Sequence, residues 1–267
     1  MNMFLHELKS LRKSTIIWTC ALVALAALYL SIYPEIAKDA EGFKALLGNY
    51  PEPVRAMLGI NLDYITSILG FYSMVFSFIV LFGAIQAMNL GVSIISKESR
   101  ERTADFLLVK PVSRSAIVSA KLMAAFTALL STNIVFFIVS TVLANGIKTA
   151  DFDVNLFFMI NLTLFFIQLI FLSMGLAVSV FFNKLKSVLP ISLGVVFGFY
   201  MIGALLAAGK EENMVRLISP FKYFDIPYII TNSSYEIAYL IASAVIVVVA
   251  VAVSYIVYIK KDIHAVS

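Results

Sequence analysis

Long apolar runs separated by short polar segments make up most of the chain. Six of them, 16–33, 65–95, 122–144, 156–182, 188–208 and 237–259, are long enough to cross a bilayer as helix. Such a crossing takes about 20 residues, because in hydrocarbon each backbone amide must find its partner inside its own segment. The second run is longer than this, so either its start near Asn61 and Asp63 lies in the outer interface or the helix projects beyond the bilayer at one end. Ahead of the first run, Phe4, Leu5, Leu8 and Leu11 share one helical face, while Glu7, Lys9, Arg12 and Lys13 fall elsewhere. That pattern predicts an amphipathic helix lying on the membrane surface. Pro34 is expected to end the first span. Lys9, Arg12 and Lys13 before a run containing Ala24-Leu25-Ala26 also have the form of a secretion signal. The apolar character, however, continues to Tyr33, past the length of a typical signal core. The pattern gives an all-α integral membrane fold, with 1–267 as one domain.

Composition agrees with the pattern. Hydrophobic residues make up 61% and charged residues 13%, against about 25% charged in a soluble domain, which excludes a soluble enzyme. Charge adds orientation. The segments 1–15, 96–121, 183–187 and 260–267 carry thirteen Lys and Arg, and the intervening ones seven, although the latter are longer in total. Positive residues stay on the cytoplasmic side, so both termini are predicted there and the net charge of +4 is a topology signal. Nucleic acid is a poor partner for such a chain. Cys20 is the single cysteine, and His6 and His264 lie near opposite ends, a pattern that supplies no disulfide and no metal cluster.

None of the six runs contains Asp, Glu, Lys, Arg or His, which argues against a carrier with its own proton or ion relay. Their polar groups are amides and hydroxyls. Gln86, Asn89 and Ser93 share one helical face, and Asn161, Gln168, Gly175 and Ser179 share another. Gln86, Asn89, Asn161 and Gln168 therefore either line a substrate path or bond one helix to the next. Gly194 and Gly198 form a G-x-x-x-G, whose physical use is close helix packing. The stretch from Gly203 to Lys210 is similar to a phosphate loop but has the wrong glycine spacing, and Glu211 stands where Ser or Thr should bind magnesium. Nucleotide binding by this chain is rejected on that ground.

The most charged segment lies between the second and third runs. Thr103 and Asp105 can start a short surface helix with Phe106, Leu107 and Leu108 on its apolar side, which Pro111 ends. Ser113 then suits the N-cap of the next helix. A short helix in that place can dock into a partner's cleft, or the segment can be a solvated positive loop.

The run Glu98-x-Arg-x-Arg-Thr103-x-x-x-Leu107-Leu108-x-x-Pro111-Val112-Ser113-Arg114-x-x-Ile117-Val118-x-x-Lys121 resembles the loop of permease subunits of the ABC type-2 export family. Ser219-Pro-Phe-Lys-Tyr-Phe-Asp225 is similar to a segment of the bacitracin- and lantibiotic-export-like branch. Arg102 stands where many relatives have Gly. The resemblance implies a coupling helix between spans 2 and 3, with Glu98, Arg100, Arg102 and Thr103 flanking the contact with a cytoplasmic ATPase. Leu107, Leu108, Pro111 and Arg114 would form or brace that element. It further implies a re-entrant segment between spans 5 and 6, whose Pro220, Phe221, Tyr223 and Phe224 would form an outer gate, with Pro220 and Pro227 as breakers. An aromatic belt at the interface is the other reading of those residues.

The expectation is thus a permease of an ATP-driven exporter in a bacterial or archaeal cell membrane, carrying a hydrophobic or amphipathic substrate such as an antimicrobial peptide or drug. The chain itself would have no catalytic residue, cofactor or metal. ATP and Mg would sit on a separate ATPase subunit, and a second permease, identical or not, would complete the unit. The alternatives are a non-transporting membrane scaffold and an ATP-independent channel.

Overall fold

The computed structural model describes residues 3–101, 113–182, 187–207 and 216–260, and among them every regular element is helical. In chain order these are α1 (Met3–Lys38), α2 (Ala40–Gly48), α3 (Glu52–Met57), α4 (Ile68–Glu101), α5 (Arg114–Ile147), α6 (Val154–Phe181) and α7 (Leu189–Ala207). A 3₁₀ turn (Pro220–Lys222), α8 (Ile226–Asn232) and α9 (Ile237–Lys260) follow. By length and composition α1, α5, α6, α9 and Ile68–Lys97 of α4 can cross a membrane. The expected fifth span corresponds to a shorter apolar helix, Leu189–Leu205, so among the described residues five helices, not six, meet the length of a full crossing.

Two expectations near the N-terminus are corrected. The amphipathic segment is not a separate surface helix, because α1 runs unbroken from Met3 to Lys38. No Gly or Pro interrupts residues 3–33, and Thr15 and Thr19 donate back to the carbonyls of Leu11 and Thr15, so the chain has no cause to turn. Pro34 lies inside the helix and does not end it. Tyr33 holds that turn, buried against Phe71 at 5.6 Å between rings, with its hydroxyl donating to Thr66 O at 3.3 Å. Asp39 starts α2 by accepting from Gly42 N.

At the centre α4 packs along α6, and their crossing depends on two glycines. A Cβ on Gly91 would lie 2.3 Å from Leu172 O, and one on Gly175 would lie 2.6 Å from Met88 O. Only hydrogen fits there, and the backbones close together as small residues allow in membranes. Gly194 and Gly198 behave otherwise: a Cβ on either meets nothing within 4 Å. The close packing expected from their spacing has no partner within the described part of this chain. Around the central pair, α1, α5 and α9 turn apolar faces outward, among them Ile16, Ile17, Ile134, Ile138, Val245 and Val249. An apolar exterior is the stable arrangement when the solvent is lipid.

Polar contacts fix which helix ends lie together. Lys97 near the end of α4 donates to Ser10 of α1, and Arg114 at the start of α5 donates to Ile259 O at the end of α9. Tyr235, just before α9, donates to Met159 O near the start of α6. The start of α1 and the end of α9 therefore share one end of the bundle, beside the flanks of the charged loop.

Candidate functional site

The four interior amides expected from the sequence take three different surroundings. Gln168 Nε2 donates to Gln86 Oε1 at 3.0 Å, and Gln86 Nε2 donates to Thr132 Oγ1 at 3.3 Å. Thr132 Oγ1 is 2.9 Å from Thr19 Oγ1, and Asn133 Nδ2 donates to Gln168 Oε1 at 2.6 Å. One hydrogen-bonded seam thus joins α1, α4, α5 and α6. Nearer the other end, Tyr72 donates to Asn161 Oδ1 at 2.9 Å with Ser140 Oγ at 3.4 Å, while Asn161 Nδ2 donates to Phe157 O. Asn89 sits apart, half-buried in a groove between α1 and α4. Asn133, Thr132 and Thr19 escaped the sequence reading, although an amide in an apolar run is itself a signal that a partner lies on another helix.

Around the charged loop the structure describes the flanks. Arg102, Thr103, Leu107, Leu108 and Pro111 lie outside the described residues, as does the side chain of Glu98. Ser113 caps α5, its Oγ accepting from Ala116 N at 3.2 Å. Arg100 turns back along α4 to donate to Ser93 Oγ at 3.2 Å, and Arg114 reaches α9 as described. What the sequence does not show is the pairing of Lys121, the last residue of the loop motif. Fully buried, Lys121 donates to Ile94 O of α4 at 2.6 Å and lies 3.5 Å from the Glu7 carboxylate of α1. A buried charge is tolerable only when paired and hydrogen-bonded, so this ion pair holds the starts of α1 and α5 and the end of α4 in one register.

At the opposite end the expected gate residues come together. Phe221 packs on Phe171 and Tyr200, with ring centroids 5.1 and 5.5 Å away, and Phe224 stacks on Phe166 at 5.3 Å. Tyr223 is buried against Tyr239, donating to Leu217 O at 2.9 Å. Pro220 opens the 3₁₀ turn. Pro227 is not a breaker: it sits in the first turn of α8, where its missing N–H costs nothing. Arg216 pairs with Glu236 through both terminal nitrogens and lies over the Tyr239 ring at 4.1 Å.

Of these, Tyr200, Arg216, Phe221, Phe224 and Pro227 wall a cavity of about 350 Å³ with Asn61, Ser73, Ser77 and Thr163, while Pro220 and Tyr223 lie behind that wall. Asp225 opens onto it and accepts from Tyr228 N. The protein around Asp225 shields it from water and pushes its carboxyl above the usual range, against the pull of Arg216. Burial opposes the charge of Arg216, but the bonds and charge of Glu236 outweigh it and hold the guanidinium protonated. Hydroxyls, an amide, both signs of charge and aromatic rings on one wall suit an amphipathic occupant.

Comparison with known proteins is consistent with this architecture. A search of curated proteins finds no match. The family model described as ABC-2 family transporter protein matches residues 1–263. With a multi-pass helical bundle, uncharged spans and the loop motif between α4 and α5 already in view, that match over nearly the full length places the chain in the ABC-2 family of membrane transport proteins, as a permease component.

Proposed function

We propose that the chain is the permease subunit of an ATP-driven exporter, energised by a separate cytoplasmic ATPase that docks on residues 98–114 and acting as a dimer of permeases. The observation that carries this reading is the Lys121 junction next to the loop. Because Lys121 bonds α4 and pairs with Glu7 of α1, a displacement of the loop by a closing ATPase would move α1, α4 and α5 together. Such a rigid junction is what transmission over a distance requires. Glu98, Arg100, Arg102 and Thr103 would flank the ATPase contact, and Leu107, Leu108, Pro111 and Arg114 would form the coupling element. ATP and Mg would be held by the partner.

Connectivity supports six crossings. α6 ends at the terminal end of the bundle and α9 begins at the other, so the chain between them must traverse it, and α7 supplies the passage. Its 17 apolar residues are at the lower end of the range of about 17 to 25 that span a bilayer. Six crossings then put both termini on one side, and the basic excess places that side in the cytoplasm. The open face of α7 at Gly194 and Gly198 is a surface on which a second permease could close. The far-end cavity walled in part by Phe221 and Phe224, with Pro220 and Tyr223 bracing the same segment, is then an exit vestibule for an amphipathic substrate, and the Ser219–Asp225 segment supports the peptide-antibiotic export branch. Gln86 and Gln168 bond helix to helix in this reading.

Replacing Leu107 and Leu108 by Asp tests the assignment. Transport in membrane vesicles containing the ATPase should be lost while the variant still inserts normally. Transport at the wild-type rate by a properly inserted variant would contradict it.

A further inference from the structure

A groove of about 210 Å³ separates the first turns of α1 from the last turns of α4. Its lining changes character along its length. Lys97 and Arg100 stand at one end, Ser10, Ser14, Thr15, Ser93 and Asn89 follow, and Trp18, Leu11 and Leu90 complete the walls toward Gln86. No carboxylate lines it among the described residues. In their described bonds the two cations meet only hydroxyls: Lys97 Nζ donates to Ser10 Oγ at 2.5 Å and Arg100 to Ser93 Oγ at 3.2 Å. A neutral hydroxyl satisfies one donor but neutralises no charge, so among the described residues no contact neutralises either positive charge.

Position sets what kind of anion. The apolar part of α4 ends at Lys97, so the cations lie at the level where hydrocarbon gives way to polar headgroups. From Arg100 to Gln86 the groove follows α4 for about 20 Å, from the headgroup level into the acyl region. Phe82 lies further along the same face, one heptad beyond Asn89, and is exposed. The volume is below that of a drug-sized site but suffices for a phosphate with its glycerol.

We infer that the α1–α4 groove binds the phosphate headgroup of an anionic lipid. Lys97 and Arg100 hold the phosphate, the hydroxyls of Ser10, Ser14 and Ser93 hold the glycerol and ester oxygens, and the acyl chains lie along Leu90 and Phe82. The site places a lipid contact against the same helix ends that Lys121 fastens, at the root of the charged loop.

The test uses the full chain purified in a neutral detergent. It is titrated separately with phosphatidylglycerol, with phosphatidylcholine of the same acyl chains, and with inorganic phosphate. Binding is read by native mass spectrometry and by the shift of the thermal unfolding midpoint. Phosphatidylglycerol should bind and stabilise where phosphatidylcholine does not. Lys97→Gln with Arg100→Gln should weaken it roughly 30-fold. Lys97→Arg with Arg100→Lys should retain it, which separates lost charge from a damaged fold. Lys44→Gln with Lys260→Gln, an equal charge change elsewhere, should also retain it. Inorganic phosphate reproducing the whole effect would keep the anion site but overturn the lipid as its source. Equal binding of the two lipids, or an unaltered phosphatidylglycerol affinity in the doubly neutralised variant, would overturn the site.

Discussion

Lys121 shows how much one residue can decide in a chain whose spans are otherwise uncharged. Its ammonium is fully buried, bonded to Ile94 O and paired with Glu7. Removing it strands the Glu7 carboxylate in a site with little access to water. Lys121→Met is therefore expected to lower stability by about 3 kcal/mol, while adding Glu7→Gln recovers much of that loss. Unfolding of the two single variants and the double variant in detergent should give a coupling of about 1–3 kcal/mol, and simple additivity would contradict the pairing. The sequence made Lys121 visible only as a member of the loop motif. Its partner lies 114 positions earlier, beyond anything a local pattern can report. The interior amides were legible as shared faces, because helical spacing alone aligns Gln86 with Asn89 and Asn161 with Gln168. That Gln168 meets Gln86 while Asn89 faces a groove depends on how four helices rotate against one another, which spacing does not encode.

Among the elements, the crossing of α4 and α6 is the most sharply determined contact. Gly91→Ala and Gly175→Ala push a methyl into backbone of the facing helix, and each should cost about 1–3 kcal/mol by overpacking. Gly194→Ala, with open space around it, should stay within about 0.5 kcal/mol in the isolated chain. Thermal unfolding of the three variants would test this, and equal losses at Gly91 and Gly194 would contradict the described packing. The helices themselves were largely written in the hydrophobic pattern, and Ser113 was recognisable as a cap because its hydroxyl precedes an apolar run. The misreadings came from treating local signals as decisive. Pro34 ought to stop a helix, yet the packing of Tyr33 carries α1 past it. Pro227 was read as a breaker, although in a first turn proline favours the helix. α2 went unnoticed despite Asp39 as cap and Phe43, Leu46 and Leu47 on one face, because a nine-residue helix gives too short a period to stand out.

At the scale of the whole molecule, the two ends of the bundle have separate chemistry. One end gathers the start of α1, the end of α9, the flanks of the charged loop, the Lys121 junction and the cationic groove. The other holds the amphipathic cavity beneath the aromatic segment before α9. The amide seam ties the helices between them. This polarity fits a machine driven at one end and releasing substrate at the other. Membership of the ABC-2 family of transport proteins is what the proposal of a separate ATPase rests on. The central claim is that a separate ATPase drives this permease through residues 98–114. The most direct measurement is gentle purification from the native membrane, with stoichiometric partners identified by mass spectrometry and ATPase activity assayed on the same sample. The account predicts a soluble subunit carrying a phosphate loop, one for each permease, with ATP hydrolysis in the complex. Reproducible absence of such a subunit from an intact, folded preparation would contradict it.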